Sequence, residues 1–218
     1  MSAGWVPPLV DELLPVYDVS DTVATTVQAS AADTWNALMG VDLLEVGRRK
    51  PLVGLLGAVR VLPEMIADLM RGSPRRPGPT RLRLRDLTSL PMGQGGWVLL
   101  GERPGAEIAL GLVGKFWLPI ITYRDVNADA FPTFDEPGFA KTIYALSVRP
   151  INNTRSLLTG TMRTATTDAA AHRWFQRYWT LGVGSGAHLL ANGLLETARE
   201  SAEQPHAPTP DVSDATGE

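Results

Sequence analysis

The 218-residue sequence contains no cysteine. That excludes disulfides, thiolate catalysis, iron–sulfur clusters and cysteine-ligated zinc. Histidine is scarce: His172, His188 and His206 are the whole supply. None stands at the His-x-x-x-His or His-Glu-x-x-His spacing that places two zinc ligands on one helical face, so no metal site is expected. Excess charge of either sign is also missing. The formal net charge is -3, which gives no global field for nucleic acid, and none is expected as a partner. No run of about 18 apolar residues appears. The nearest approach, residues 51–70, is interrupted by Gly54, Gly57, Arg60, Pro63, Glu64 and Asp68. The first 15 residues lack the basic start and continuous apolar core of a signal peptide. The expectation is a cytoplasmic protein with no stable membrane insertion. Phosphate loops of the Gly-x-x-x-x-Gly-Lys-Ser/Thr type are absent. Gly182-Val-Gly-Ser-Gly186 has neither the final spacing of a dinucleotide loop nor a strand before it, so no cofactor is expected.

What is present is an ordinary globular composition, 44% hydrophobic and 20% charged. The length suits one domain with tails. Residues 1–15 read as an N-terminal arm, 16–203 as the domain, and 204–218 as a disordered tail too polar to bury anything. Residues 20–29 are rich in β-branched side chains and form a strand, with Val23, Thr25 and Val27 on one face. Ser30 then caps a helix with Asp33 in its first turn, and Trp35, Leu38 and Met39 take helical spacing. Residues 42–71 continue as strongly apolar helix, broken near 47–51 and at Pro63. The segment 81–85 alternates arginine and leucine and reads as a strand. Residues 97–103 and 107–117 are further strands. In the second, Ile108, Leu110 and Leu112 point one way; Ala109, Gly111, Val113, Lys115 and Trp117 point the other. Two long strands follow, 140–149 and 155–165, joined as a hairpin. Thr166 or Asp168 starts a last helix that runs to about Glu203. Three glycines in its middle, Gly182, Gly184 and Gly186, each cost about 1 kcal/mol against alanine. Either the helix bends there or something approaches its backbone closely.

Consecutive strands with short connections make an antiparallel sheet. The fold class is therefore α+β: a curved antiparallel sheet of six to seven strands around a long C-terminal helix, with helices inserted after the first strand. This order resembles the START-like superfamily, of polyketide cyclase/dehydrase and lipid-transport type. The resemblance is carried by residues 23–38, where a strand ends in Ala-Ser and leads into a helix with a Thr-Trp pair, and by the C-terminal unit. Residues 135–141 and Phe175-x-x-Tyr-Trp179 resemble a bacterial subgroup of it. It implies a helix-grip fold with a cavity between sheet and helix, and no particular catalytic motif.

Candidate site residues lie on the long helix and the strands. Trp174, Tyr178 and Leu181 follow i, i+4, i+7, and Ser185 and His188 continue the row; Phe175, Trp179 and Gly182 form an adjacent one. One row faces the sheet. It either packs a plain core or lines an apolar pocket, with Trp97 and Trp117 as further lining. Glu102, Lys115, Tyr144 and Arg163 are polar groups on strands, each either solvated or pointing into the cavity. An inward Arg163 needs Glu102 or Glu107 as partner, or a ligand oxygen. Three functions stay open. The first is binding of a hydrophobic small molecule, a lipid or a polyketide-like compound. The second is a cyclase, dehydratase or hydrolase that uses Arg163, Lys115 or Glu102 to polarise a carbonyl and His188 or Tyr144 to move a proton. The third is an interaction module whose apolar 42–71 segment docks a partner.

Overall fold

The computed structural model describes residues 6–49, 80–89 and 97–204. Helix α1 (Leu9–Leu13) precedes strand β1 (Val19–Val27), and helices α2 (Ala31–Gly40) and α3 (Leu43–Arg49) follow. A 3-10 turn (Arg85–Ser89) leads to β2 (Val98–Arg103), β3 (Glu107–Lys115), the two-residue β4 (Thr122–Tyr123), β5 (Ala140–Asn152) and β6 (Arg155–Thr166). The last described elements are α4 (Ala169–Tyr178), a π-helical turn (Trp179–Val183) and α5 (Gly184–Glu203). All six strands belong to one antiparallel sheet in the order β1-β6-β5-β3-β2, with β4 on the end of β3. This is the helix-grip architecture: a curved sheet with the long C-terminal helix against one face.

Local chemistry sets the element boundaries. Ser30 Oγ accepts from Asp33 N–H at 3.2 Å and donates to the Asp33 carboxylate at 2.6 Å, which fixes the start of α2. Asp168 Oδ1 accepts from Ala170 and Ala171 N–H at 2.7 and 2.8 Å and starts α4. Its other oxygen holds Gly138 N–H, and these donors depress its carboxyl below the ordinary range. Pro150 sits inside β5 without breaking the sheet. β5 has there run past the end of β3, so only β6 remains beside it and no donor is missed.

The alternating segment 81–85 is not a strand. Asp42 Oδ1 accepts from both Leu44 N–H and Leu82 N–H, and Leu82 O accepts from Leu43 N–H at 2.7 Å. The Leu82 backbone is thus satisfied by the start of α3 rather than by a sheet partner. Leu84 is still buried, so the alternation reports burial without pairing. The Asp42 carboxyl is held low, chiefly by Leu82 N–H. The whole apolar 51–70 stretch, residues 71–79 and 90–96, and residues 205–218 lie outside the described residues.

Both sheet faces are covered. On the helix face, Val23, Val27, Ile108, Leu110, Leu146, Val148 and Leu158 pack against Trp35 and Leu38 of α2 and Ala191, Leu194, Leu195 and Ala198 of α5. On the outer face, Ala109, Val113, Ile143 and Ala145 pack against Leu9, Val10 and Leu14 and against Val126, Phe131 and Phe139. β3 is consequently buried on both sides along almost its whole length. Residues 9–14, read above as part of an arm, cap this outer face. Among the described residues, no helix is long and apolar enough to cross a membrane.

Candidate functional site

The site begins with a break in the long helix. Thr180 Oγ1 donates to Gln176 O and Arg177 O at 2.8 and 3.2 Å and competes with the helix for those carbonyls. Two residues on, Gly182 has φ 107°, a left-handed conformation that side chains disfavour. The helix opens into a π-turn between α4 and α5. Gly184 follows for a different reason. The Trp179 indole lies over its backbone, and a Cβ there would come within 2.7 Å of the ring. On the other side, Phe175 stacks on Trp179 with centroids 5.9 Å apart.

This turn roofs a pocket of about 180 Å³. The roof is Phe175, Tyr178, Trp179, Val183 and Ala187. Its floor is the helix face of three strands: Leu112 of β3, Thr142 of β5, Met162 and Thr164 of β6. Trp97 and Phe116 close the side, and Trp97 N–H donates to Leu87 O at 3.1 Å. Among the described residues, no charged side chain lines the pocket. Its deepest polar atoms are the hydroxyls of Thr142 and Thr164, both buried and 2.9 Å from each other. A second, polar cleft of about 170 Å³ lies between the end of α2, α3 and α5 and includes Asp42, Arg49, Arg81 and Glu200. It mixes both charges and has no buried anchor.

Of the candidates named from sequence, the pocket takes Trp97 and Tyr178. Trp117 packs beside it on the Leu112, Phe116 and Phe175 cluster. Tyr144 is on the helix face two residues from Thr142. Its hydroxyl is buried without a hydrogen-bond partner among the described residues, and that burial, with the Asp21 charge nearby, pushes the phenol well up. It is therefore a poor proton donor or acceptor at neutral pH.

The others lie elsewhere. Arg163 is on the outer face, where its guanidinium donates to Val10 O and Leu14 O, pairs with Asp11 at 2.6 Å and covers the Tyr17 ring. Asp11, rather than Glu102 or Glu107, is its partner. Lys115 is on the same outer face, with Nζ 4.6 Å above the Phe139 ring. Glu102 is on the helix face but at the β2 edge, held by Arg85 at 2.5 Å. His188 is exposed, with Nδ1 3.0 Å from Asp21 of β1. Trp174, Leu181 and Ser185 face solvent. No two of Arg163, Lys115, Glu102, His188 and Tyr144 come together in the pocket, which is what the enzymatic alternative requires. Among the described residues no cluster could hold a metal ion.

The lining that sequence reasoning passed over is Leu112, Phe116, Thr142, Met162, Thr164, Val183 and Ala187. Phe175 and Trp179 were visible as the second helical row.

No protein family and no curated protein matches the chain. Among solved structures, a conserved protein from Geobacillus kaustophilus is similar over 84% of this chain and 95% of its own, at 14% identity and TM-score 0.39. The Zhui aromatase/cyclase from Streptomyces sp. R1128 covers 84% of this chain and 94% of its own, at 12% identity and TM-score 0.29. A norcoclaurine synthase point mutant from Thalictrum flavum covers 83% and 98%, at 12% identity and TM-score 0.27. At these values no residue of the site is assigned from them.

Proposed function

We propose that this chain binds a small, neutral, apolar molecule of one or two rings in the pocket beneath the helical kink. The observation that carries the reading is a concave space of about 180 Å³ walled by aromatic side chains, with no charged residue among the described lining. A ligand site of this kind is apolar with a few placed polar groups, and here the Thr142–Thr164 hydroxyl pair is such a group. Size narrows the class. An engineered apolar cavity of about 150 Å³ holds benzene, so this pocket suits one or two rings and is too small for a long-chain lipid. Flat aromatic walls favour a flat guest. Membership in the START-like superfamily is part of the proposal, since a cavity between sheet and long helix is what that resemblance implies.

The test uses 2-naphthol and naphthalene with the full chain. Trp97 and Trp179 line the pocket, so binding should quench tryptophan fluorescence and raise Tm with ligand concentration. Ala187→Phe places a ring inside the space and should abolish both effects while leaving the fold intact. If neither probe binds at its solubility limit, or if the A187F variant binds as well as the natural chain, the reading fails.

A further inference from the structure

We propose that the solvent side of the kinked C-terminal helix docks peripherally on an anionic lipid bilayer. The turn that roofs the pocket with Trp179 and Val183 presents Leu181 outward, 84% exposed. Trp174 is 55% exposed before it, and Leu189 and Leu190 are 40% and 55% exposed after it. Four large apolar side chains on one helical unit, all in water, form a concentration that calls for a partner.

Charge selects which partner. Residues 169–195 contain no aspartate or glutamate, although the whole chain is acidic at net charge -3. Arg173 and Arg177 are both exposed, and the Arg177 guanidinium lies 5.3 Å from the Trp174 ring centroid. The neighbouring carboxylates are engaged or peripheral. Asp18, just before β1, and Asp21 within it face His172 and His188, and Asp168 caps α4. A second copy docked by a two-fold axis would set these arginines against their own equivalents, with no carboxylate in residues 169–195 to offset them. Nucleic acid would match the arginines and leave Leu181, Leu189 and Leu190 in water. A bilayer with anionic headgroups satisfies both halves: tryptophan and leucine enter the headgroup boundary while arginine stems lie along it with their charges outward. Docking is peripheral, because none of the described helices can span. It would bring the turn over the pocket to the source of apolar molecules, but it does not depend on the pocket being a binding site.

The experiment is co-flotation of the full chain with vesicles of phosphatidylcholine alone and with about one third phosphatidylglycerol, at low and physiological salt. The anionic vesicles should bind the chain and the neutral ones should bind far less. Each of Arg173→Gln and Arg177→Gln should weaken binding about fivefold, and salt should weaken it further. Leu181→Ser should weaken it about tenfold or more. All three positions are exposed, so an unchanged circular dichroism spectrum and Tm accompany the loss. The proposal is overturned if the natural chain ignores anionic vesicles, as it would if an acidic protein were the partner. It is equally overturned if L181S binds like the natural chain, or if sedimentation finds a dimer that L181S dissolves.

Discussion

The Thr142–Thr164 pair offers the sharpest quantitative check on the site. The two hydroxyls are 2.9 Å apart, and their residues are 8% and 1% exposed. Removing one by Thr→Val leaves the other buried without its partner, which costs about 1–3 kcal/mol. Removing both leaves two apolar side chains of nearly the same shape in an apolar surrounding, and such a replacement is close to neutral. The T142V/T164V variant should therefore be more stable than the sum of its single variants by about 2 kcal/mol, the coupling a double-mutant cycle isolates. Urea unfolding followed by circular dichroism reads this directly. The ligand arm is independent. The double variant should keep naphthalene affinity, since the walls are unchanged, and should weaken 2-naphthol about tenfold by loss of one hydrogen bond. Additive destabilisation by the two single variants would refute the argument, because each hydroxyl would then have a partner other than the other threonine.

Further tests address the kink, the sheet's outer face and the helix start. Gly182→Ala forces a side chain into φ 107° and should cost about 1–2 kcal/mol, read as a lower Tm. Gly184→Ala drives a Cβ to within 2.7 Å of the Trp179 ring; the indole must move, so probe binding should fall with little change in secondary structure. Arg163→Met strands two carbonyls and Asp11 on the outer face; a loss of about 2 kcal/mol and faster proteolysis in the first 15 residues are expected. Glu107 is buried on the sheet's outer face at the start of β3, accepting from Leu9 N–H and Arg103. Desolvation raises its carboxyl above the ordinary 4.5 despite those donors. The folded state then holds that proton more tightly than the unfolded one, so stability falls as pH rises from 4.5 through the raised value. Glu107→Gln should remove that slope in a pH series of urea melts. Asp168 has the opposite sign: its depressed carboxyl stabilises above its ordinary 3.8 and is lost as pH falls, an acid dependence that Asp168→Asn should reduce.

Much of the fold was legible because local chemistry and period agree along the sheet. The alternation of β3 placed Ile108, Leu110 and Leu112 together, and they do share the helix face. Residues 81–85 misled because alternation records burial, whereas a strand also needs backbone partners. Asp42 took one of those partners from 40 positions away, which no local pattern reveals. The outer-face cover was illegible for a similar reason. Residues 9–14 are short, and their place is set by partners far along the chain: Glu107 accepts from Leu9 N–H, and Arg163 donates to the Val10 and Leu14 carbonyls. Strand charges were the weakest guides to the pocket. Alternation says that Arg163 and Met162 face opposite ways, but not which way the helix lies.

The helix rows show how the pocket itself escaped. Phe175, Trp179, Val183 and Ala187 all face the pocket, and Ala191 and Leu195 continue the series into the core. Every step is four residues. In a regular helix of 3.6 residues per turn a four-residue step overshoots by about 40°, so four steps from Phe175 to Ala191 would rotate the row by roughly 160°, to the opposite side. A straight helix would therefore have turned Gly182 and Gly186 inward and Val183 away. The π-turn is wider, about 4.4 residues per turn, and with the left-handed Gly182 it absorbs the overshoot. The inward row thus stays on the sheet across the break. The glycines mark where the period changes, but periodicity alone cannot say that it changes, since a bend and a close contact both call for glycine. The structure shows both, divided between two residues. Gly182 makes the bend, and Gly184 admits the Trp179 ring. Restoring a regular period through this turn would rotate Val183 and Ala187 out of the pocket wall together. The pocket and the kink are consequently one feature, and a variant that straightens the helix should lose probe binding even with every lining residue unchanged.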